Sequence, residues 1–104
     1  MNVLLLDDEQ PVLESLKGKL NLFCPEVTII GMCRSVKEAL AVLHEEEVDV
    51  VFLDVNLNGE SGFDLIDQWN GDELPSLIFT TAHDEFAVQA IKNAALDYLL
   101  KPID

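Results

Sequence analysis

Val48-Asp49-Val50-Val51-Phe52-Leu53-Asp54 closes an apolar run on a carboxylate and passes straight into a turn-rich stretch, Val55-Asn56-Leu57-Asn58-Gly59. A short apolar run bounded by turn residues suits a strand covered on both faces, the environment of a central strand in a parallel sheet. Asp54 then stands at the carboxyl end of that strand, where open α/β sheets place their ligands. Val3 to Leu6 repeats the pattern and runs into Asp7-Asp8-Glu9.

The segments between these runs read as helices. Pro11 suits a first helical turn, and Val12, Leu13, Leu16, Leu20 and Phe23 follow at helical spacing up to a stop before Pro25. Val27 to Ile30 is a predicted second strand. Ser35-Val36-Lys37-Glu38 has the form of a capping box ahead of the stripe Val36, Ala39, Leu40, Leu43. Ser61 is placed to cap a third helix that buries Leu65, Ile66 and Trp69 and stops near Gly71, with Gly62 marking a close approach. Leu77 to Thr80 is a predicted fourth strand, a helix follows near Phe86, and Tyr98-Leu99-Leu100 is a short fifth strand before Lys101-Pro102. Strands alternating with helices imply an α/β fold with a doubly wound parallel sheet.

The 104 residues form a single domain, half of them apolar. No apolar run reaches bilayer length, and a soluble, cytoplasmic protein is expected. Cys24 and Cys33 lack metal-ligand spacing and are expected as buried free thiols. Twenty acidic residues against six basic ones give a formal charge of −14, which argues against direct binding to nucleic acid or anionic membrane by this segment.

With the strands parallel, Asp7, Asp8, Asp54, Thr81 and Lys101 share one sheet edge. Carboxylates gathered so closely repel one another, and a hard divalent cation with oxygen ligands relieves them; Mg²⁺ suits one or two carboxylates plus waters and a phosphate oxygen. Lys101 and the Thr81 hydroxyl would hold a phosphoryl-sized anion opposite a carboxylate nucleophile. An aspartate after one strand is most often an ordinary helix cap. The five positions in order carry the chemistry.

That order resembles the receiver domain of two-component response regulators. The resemblance spans the whole chain: Asp7-Asp8 after the first strand, Asp54 after the third with Gly62 eight residues on, Thr81-Ala82 after the fourth, and Tyr98-Leu99-Leu100-Lys101-Pro102 at the fifth. It implies a flavodoxin-like five-stranded sheet in the order 2-1-3-4-5, with Asp54 as phosphoacceptor for a sensor histidine kinase. Asp8, Asp54 and the backbone carbonyl of Asn56 would hold Mg²⁺, and Asp7 would reach it through water. Asn56 and the backbone N–H of Ala82 would contact the phosphoryl group. Thr81 would be the switch hydroxyl, Lys101 its ion-pair partner and Tyr98 the aromatic reporter, with Asn56 and His83 tuning the phosphoryl lifetime. Such a domain catalyses only its own modification and slow hydrolysis, and it controls an output domain, commonly a transcription regulator. The wording of residues 78–87 and 95–104 resembles receivers attached to LytTR-type DNA-binding domains.

Two departures stand out. Asn58 replaces the family's usual proline, which would loosen the loop, and Asp104 falls where a fifth helix would begin. Lacking that helix, the fifth strand would expose an apolar side, and a homodimer or swapped assembly is expected. Two alternatives remain. One is a receiver-like interaction module without phosphorylation; the other is a Mg²⁺-dependent phosphatase with an aspartate nucleophile, against which Asp54-Val55-Asn56 lacks the second acid such enzymes carry.

Overall fold

The computed structural model describes residues 1–71 and 73–80. The elements are β1 (Asn2–Leu6), α1 (Gln10–Phe23), β2 (Thr28–Cys33), α2 (Val36–Glu45), β3 (Val50–Asp54), β4 (Asn56–Leu57), β5 (Glu60–Ser61), α3 (Phe63–Gln68) and β6 (Ser76–Thr80). The main sheet runs β2-β1-β3-β6 with every pairing parallel. This is the expected order 2-1-3-4, because β4 and β5 form a separate two-residue antiparallel ribbon. The fifth strand, the helix before it and the surface argument for self-association fall outside the described residues.

Side-chain alternation in the central strands builds two cores. Val3, Leu5, Val50 and Phe52 face one side and pack with Leu13, Leu16 and Leu20 of α1. Leu4, Leu6, Val51 and Leu53 face the other and meet Val36, Ala39 and Leu43 of α2 and Leu65 of α3. An unbroken apolar strand therefore serves both faces at once, which is why β1 after Asn2 and β3 before Asp54 carry no polar side chain.

Helix ends follow local chemistry. The Cys24 N–H donates to Leu20 O at 2.8 Å and closes α1 ahead of Pro25. Ser35 Oγ accepts from the Glu38 N–H, as a capping box requires, but Glu38 Oε2 accepts from the Arg34 N–H one residue earlier than the standard motif. Cys24 and Cys33 are both buried and form no disulfide. Burial, and secondarily the charge of Glu38, push the Cys33 thiol up to about 11, which keeps it protonated.

Several boundaries differ from the sequence expectations. β2 begins one residue later than predicted and extends to Cys33. The register slips between Val3↔Ile29 and Leu4↔Gly31, leaving Ile30 as an extra residue that breaks the alternation. In α1, Phe23 is half exposed and lies off the buried stripe. α3 ends at Gln68 with Trp69 as its cap, short of Gly71, and Ile66 is 38% exposed, leaving Leu65 as the fully buried side chain of that helix. Ser61 lies one position before the cap: its Oγ accepts from the Phe63 N–H, and its own N–H donates to Asp64 Oδ2. Trp69 packs against the α2 side of the core and stacks on His44 with ring centroids 4.8 Å apart.

Gly62 marks the close approach its position suggested. A Cβ there would stand 2.3 Å from the backbone oxygen of Asp54, with no flexible side chain able to yield. Gly62→Ala is therefore expected to lower stability by about 1–3 kcal/mol through overpacking. Gly18 is the internal contrast, an exposed position inside α1 where a Cβ meets nothing within 4 Å. Gly18→Ala should raise stability by about 0.5–1 kcal/mol. Urea denaturation of the two variants beside the parent reads both signs.

Candidate metal centre at the carboxyl edge of the sheet

The last registered pair between β1 and β3 is Leu6↔Leu53, so the residues that follow, Asp7 and Asp54, emerge side by side. Carboxylate oxygens of Asp7, Asp8 and Asp54 lie within 4.8 Å of one another. The structure thus brings together the three acids that sequence reasoning chose. Asn56 is close by, exposed, and its N–H donates to Asp54 Oδ1 at 3.1 Å, which fixes the carboxylate from the loop side. Thr81, Ala82, His83, Tyr98 and Lys101 lie outside the described residues.

The acids occupy different environments. Asp7 is 5% exposed, its N–H donates to Cys33 O at 3.0 Å, and its Oδ1 accepts from the Glu9 N–H at 2.9 Å. Burial is the main force on its carboxyl. The Glu9 hydrogen bond opposes that force, the charges of Asp54, Asp8 and Glu9 add to it, and the net result is a pKa raised from 3.8 to about 6. Asp54 and Asp8 are only partly buried. Together with Glu9, Val12, Val55, Asn56 and Thr80, Asp7 and Asp54 line a cleft of about 490 Å³. Thr80 is buried and pairs with Asp54 across the β3–β6 ladder.

The donor set is all carboxylate oxygen, and burial makes one of the three acids, Asp7, easier to protonate than an ordinary carboxylate. These features fit a hard divalent cation such as Mg²⁺ and not a soft metal, since no thiol or imidazole joins the cluster among the described residues.

The loop after Asp54 is a tight hairpin. Asn56 pairs with Ser61 and Leu57 with Glu60, and Gly59 takes φ 81°, the left-handed backbone that a type II turn asks of its third residue. Asn58, where the family usually has proline, forms an Asn-Gly turn with Gly59 at the tip of this hairpin. Leu57 is buried beneath it, the Gly62 N–H donates to Val55 O at 2.8 Å, and Glu60 Oε1 accepts from the Val36 N–H at the start of α2.

Sequence reasoning missed Arg34. Its guanidinium Nε and Nη2 both donate to the backbone oxygen of Asp8, at 3.2 and 2.9 Å. The available signal was its place immediately after β2, at the same sheet edge, among only six basic residues in the chain.

The raised Asp7 pKa has a defined consequence for stability. Without metal, the folded protein holds this proton up to about pH 6, whereas the unfolded chain releases it near 3.8. The native state binds more protons between those values, so the contribution of Asp7 is fully present below about pH 4 and is lost as pH rises through 6. The stability gap between Asp7→Asn and the metal-free parent should widen in favour of the variant by about 2–3 kcal/mol across that window. Urea titrations in chelator at several pH values measure it.

Comparison with known proteins supplies the family. The profile of the response regulator receiver domain matches residues 3–104. An uncharacterized response regulatory protein of Shewanella oneidensis is 45% identical over 101 residues, which cover 97% of this chain and 42% of that protein. The transcriptional regulatory protein BtsR of Escherichia coli K12 is 36% identical over 104 residues, all of this chain and 43% of BtsR. The crystal structure of the response regulatory domain of MrkE from Klebsiella pneumoniae superimposes with a TM-score of 0.65 at 29% identity, covering 88% of this chain and 75% of that one. The chain thus spans less than half the length of these curated relatives. With the whole of it matched and the parallel α/β fold shared, this chain belongs to the response regulator receiver domain family.

Proposed function

We propose that residues 1–104 form a receiver domain that takes a phosphoryl group onto Asp54 from a phosphohistidine on a sensor kinase, and that the full-length protein is a cytoplasmic transcription regulator. The convergence of Asp7, Asp8 and Asp54 beside a cleft is the observation that carries this reading.

The Asn56 N–H holds Asp54 Oδ1, leaving the second carboxylate oxygen as nucleophile. That oxygen forms the new O–P bond, the P–N bond to the kinase imidazole breaks, and the electron pair leaves with the nitrogen. Asp8, Asp54 and the Asn56 carbonyl would hold Mg²⁺, with Asp7 reaching it through water. The bound cation would neutralise charge developing on the transferring group. Asp7, the buried acid of the three, is the one whose carboxyl most readily takes up a proton. Thr81, Lys101 and the N–H of Ala82 would hold the phosphoryl oxygens, His83 and Asn56 would set its lifetime, and Tyr98 would report it; these roles rest on the family motif. A new dianion at Asp54 would draw in the Thr81 hydroxyl and shift the packing of the segment that follows. The naming of BtsR as a transcriptional regulator supports an output domain that controls transcription, and the wording of residues 78–87 and 95–104 is what suggests the LytTR type.

Full-length protein incubated with Mg²⁺ and acetyl phosphate should gain the mass of one phosphoryl group, and Asp54→Asn should not. An unmodified parent that binds beryllofluoride no better than the variant would favour the interaction-module alternative. Multiple turnover of a generic phosphate ester would instead favour the phosphatase.

A further inference from the structure

Asp8 stands on the short loop between β1 and α1. Its neighbours are secured: Asp7 donates to Cys33 O and accepts from the Glu9 N–H, while Glu9 O accepts from the N–H groups of Val12 and Leu13 as α1 begins. Asp8 itself is held through its carbonyl, by two donors from the Arg34 guanidinium arriving across 26 residues of sequence. Arg34 is in turn held at its own backbone, where its N–H donates to Glu38 Oε2 at 2.8 Å. Glu38 is tied to the helix start by its N–H to Ser35 Oγ. A continuous strap of hydrogen bonds therefore runs from the first turn of α2, through Arg34, to the main chain of one acid in the carboxylate cluster.

We propose that Arg34 is a positioning residue for the metal centre, one that fixes the Asp8 backbone so that its carboxylate faces Asp7 and Asp54 before the cation arrives. The role rests on the Mg²⁺ site proposed above. The β1–β2 ladder makes it possible, because the Leu6↔Cys33 pair brings Arg34 level with the residues that follow β1. A guanidinium suits the task, since its planar fork offers two donors to one oxygen with less loss of side-chain freedom than a lysine. Outer groups that orient metal ligands commonly change metal affinity by about tenfold or more when removed.

Charge and positioning predict opposite signs. A cation beside a divalent metal repels it, so on electrostatics alone Arg34→Gln would bind Mg²⁺ more tightly than the parent. Loss of positioning weakens binding instead. In calorimetric Mg²⁺ titrations of the full-length protein, Arg34→Gln is expected to raise Kd about tenfold. Arg34→Lys, which retains the charge and one donor, should fall between that variant and the parent. Amide exchange at residues 8 and 9 should quicken in both variants without metal, while the melting temperature of the metal-free protein stays within a few degrees of the parent. Unchanged or tighter Mg²⁺ binding by Arg34→Gln, with the parent binding normally, overturns the positioning role and leaves the metal centre standing. Failure of the parent to bind Mg²⁺ overturns both.

Discussion

Mutual repulsion among Asp7, Asp8 and Asp54 is the constraint on which the rest of this structure turns. Three carboxylates with oxygens inside 4.8 Å oppose the fold that gathers them, and the cost must be met by packing elsewhere. The two cores on either face of β1 and β3 supply that packing, with Val3 through Leu6 and Val50 through Leu53 all buried. Because the same two strands lead into Asp7 and Asp54, the registered ladder between them fixes where those two acids emerge. Charge destabilisation is thereby concentrated at the edge where a cation and a phosphoryl group would be used.

Around that edge, loops are tied down by bonds that cross between elements. Glu60 reaches from the β4–β5 ribbon to the first N–H of α2, and Arg34 reaches from the end of β2 to the loop after β1. Both ties converge on the α2 N-terminus, which already carries the Ser35–Glu38 cap. Loops that would otherwise sample many conformations are thus indexed to one rigid helix start. Gly62, pressed against the Asp54 carbonyl, indexes α3 to the same strand end.

Much of this was legible in the chain because it depends on local pattern. The strands with both faces buried announce themselves as unbroken apolar runs, and their terminal acids mark the edge. β2 was read short because the extra residue at Ile30 breaks the alternation that identifies a strand. The third helix was read long because Ile66 and Trp69 keep helical spacing, although the backbone leaves the helix at Trp69. Arg34 was invisible for a different reason. Its partner is a main-chain oxygen 26 residues away, and only the β1–β2 register brings the two together.

The indole stack at the other end of the molecule has a spectroscopic consequence. Trp69 is the sole tryptophan, and it lines a cleft with Val48, Asp49 and Pro75, residues that precede β3 and β6 at the amino edge of the sheet. Its ring lies over His44 in the last turn of α2, and Gly71 crosses its edge so closely that a side chain there would collide with it. The native emission of this protein is therefore a gauge of how α2 and α3 sit together. The chain carries a built-in optical label on the seam between two helices, at the opposite sheet edge from Asp7, Asp8 and Asp54.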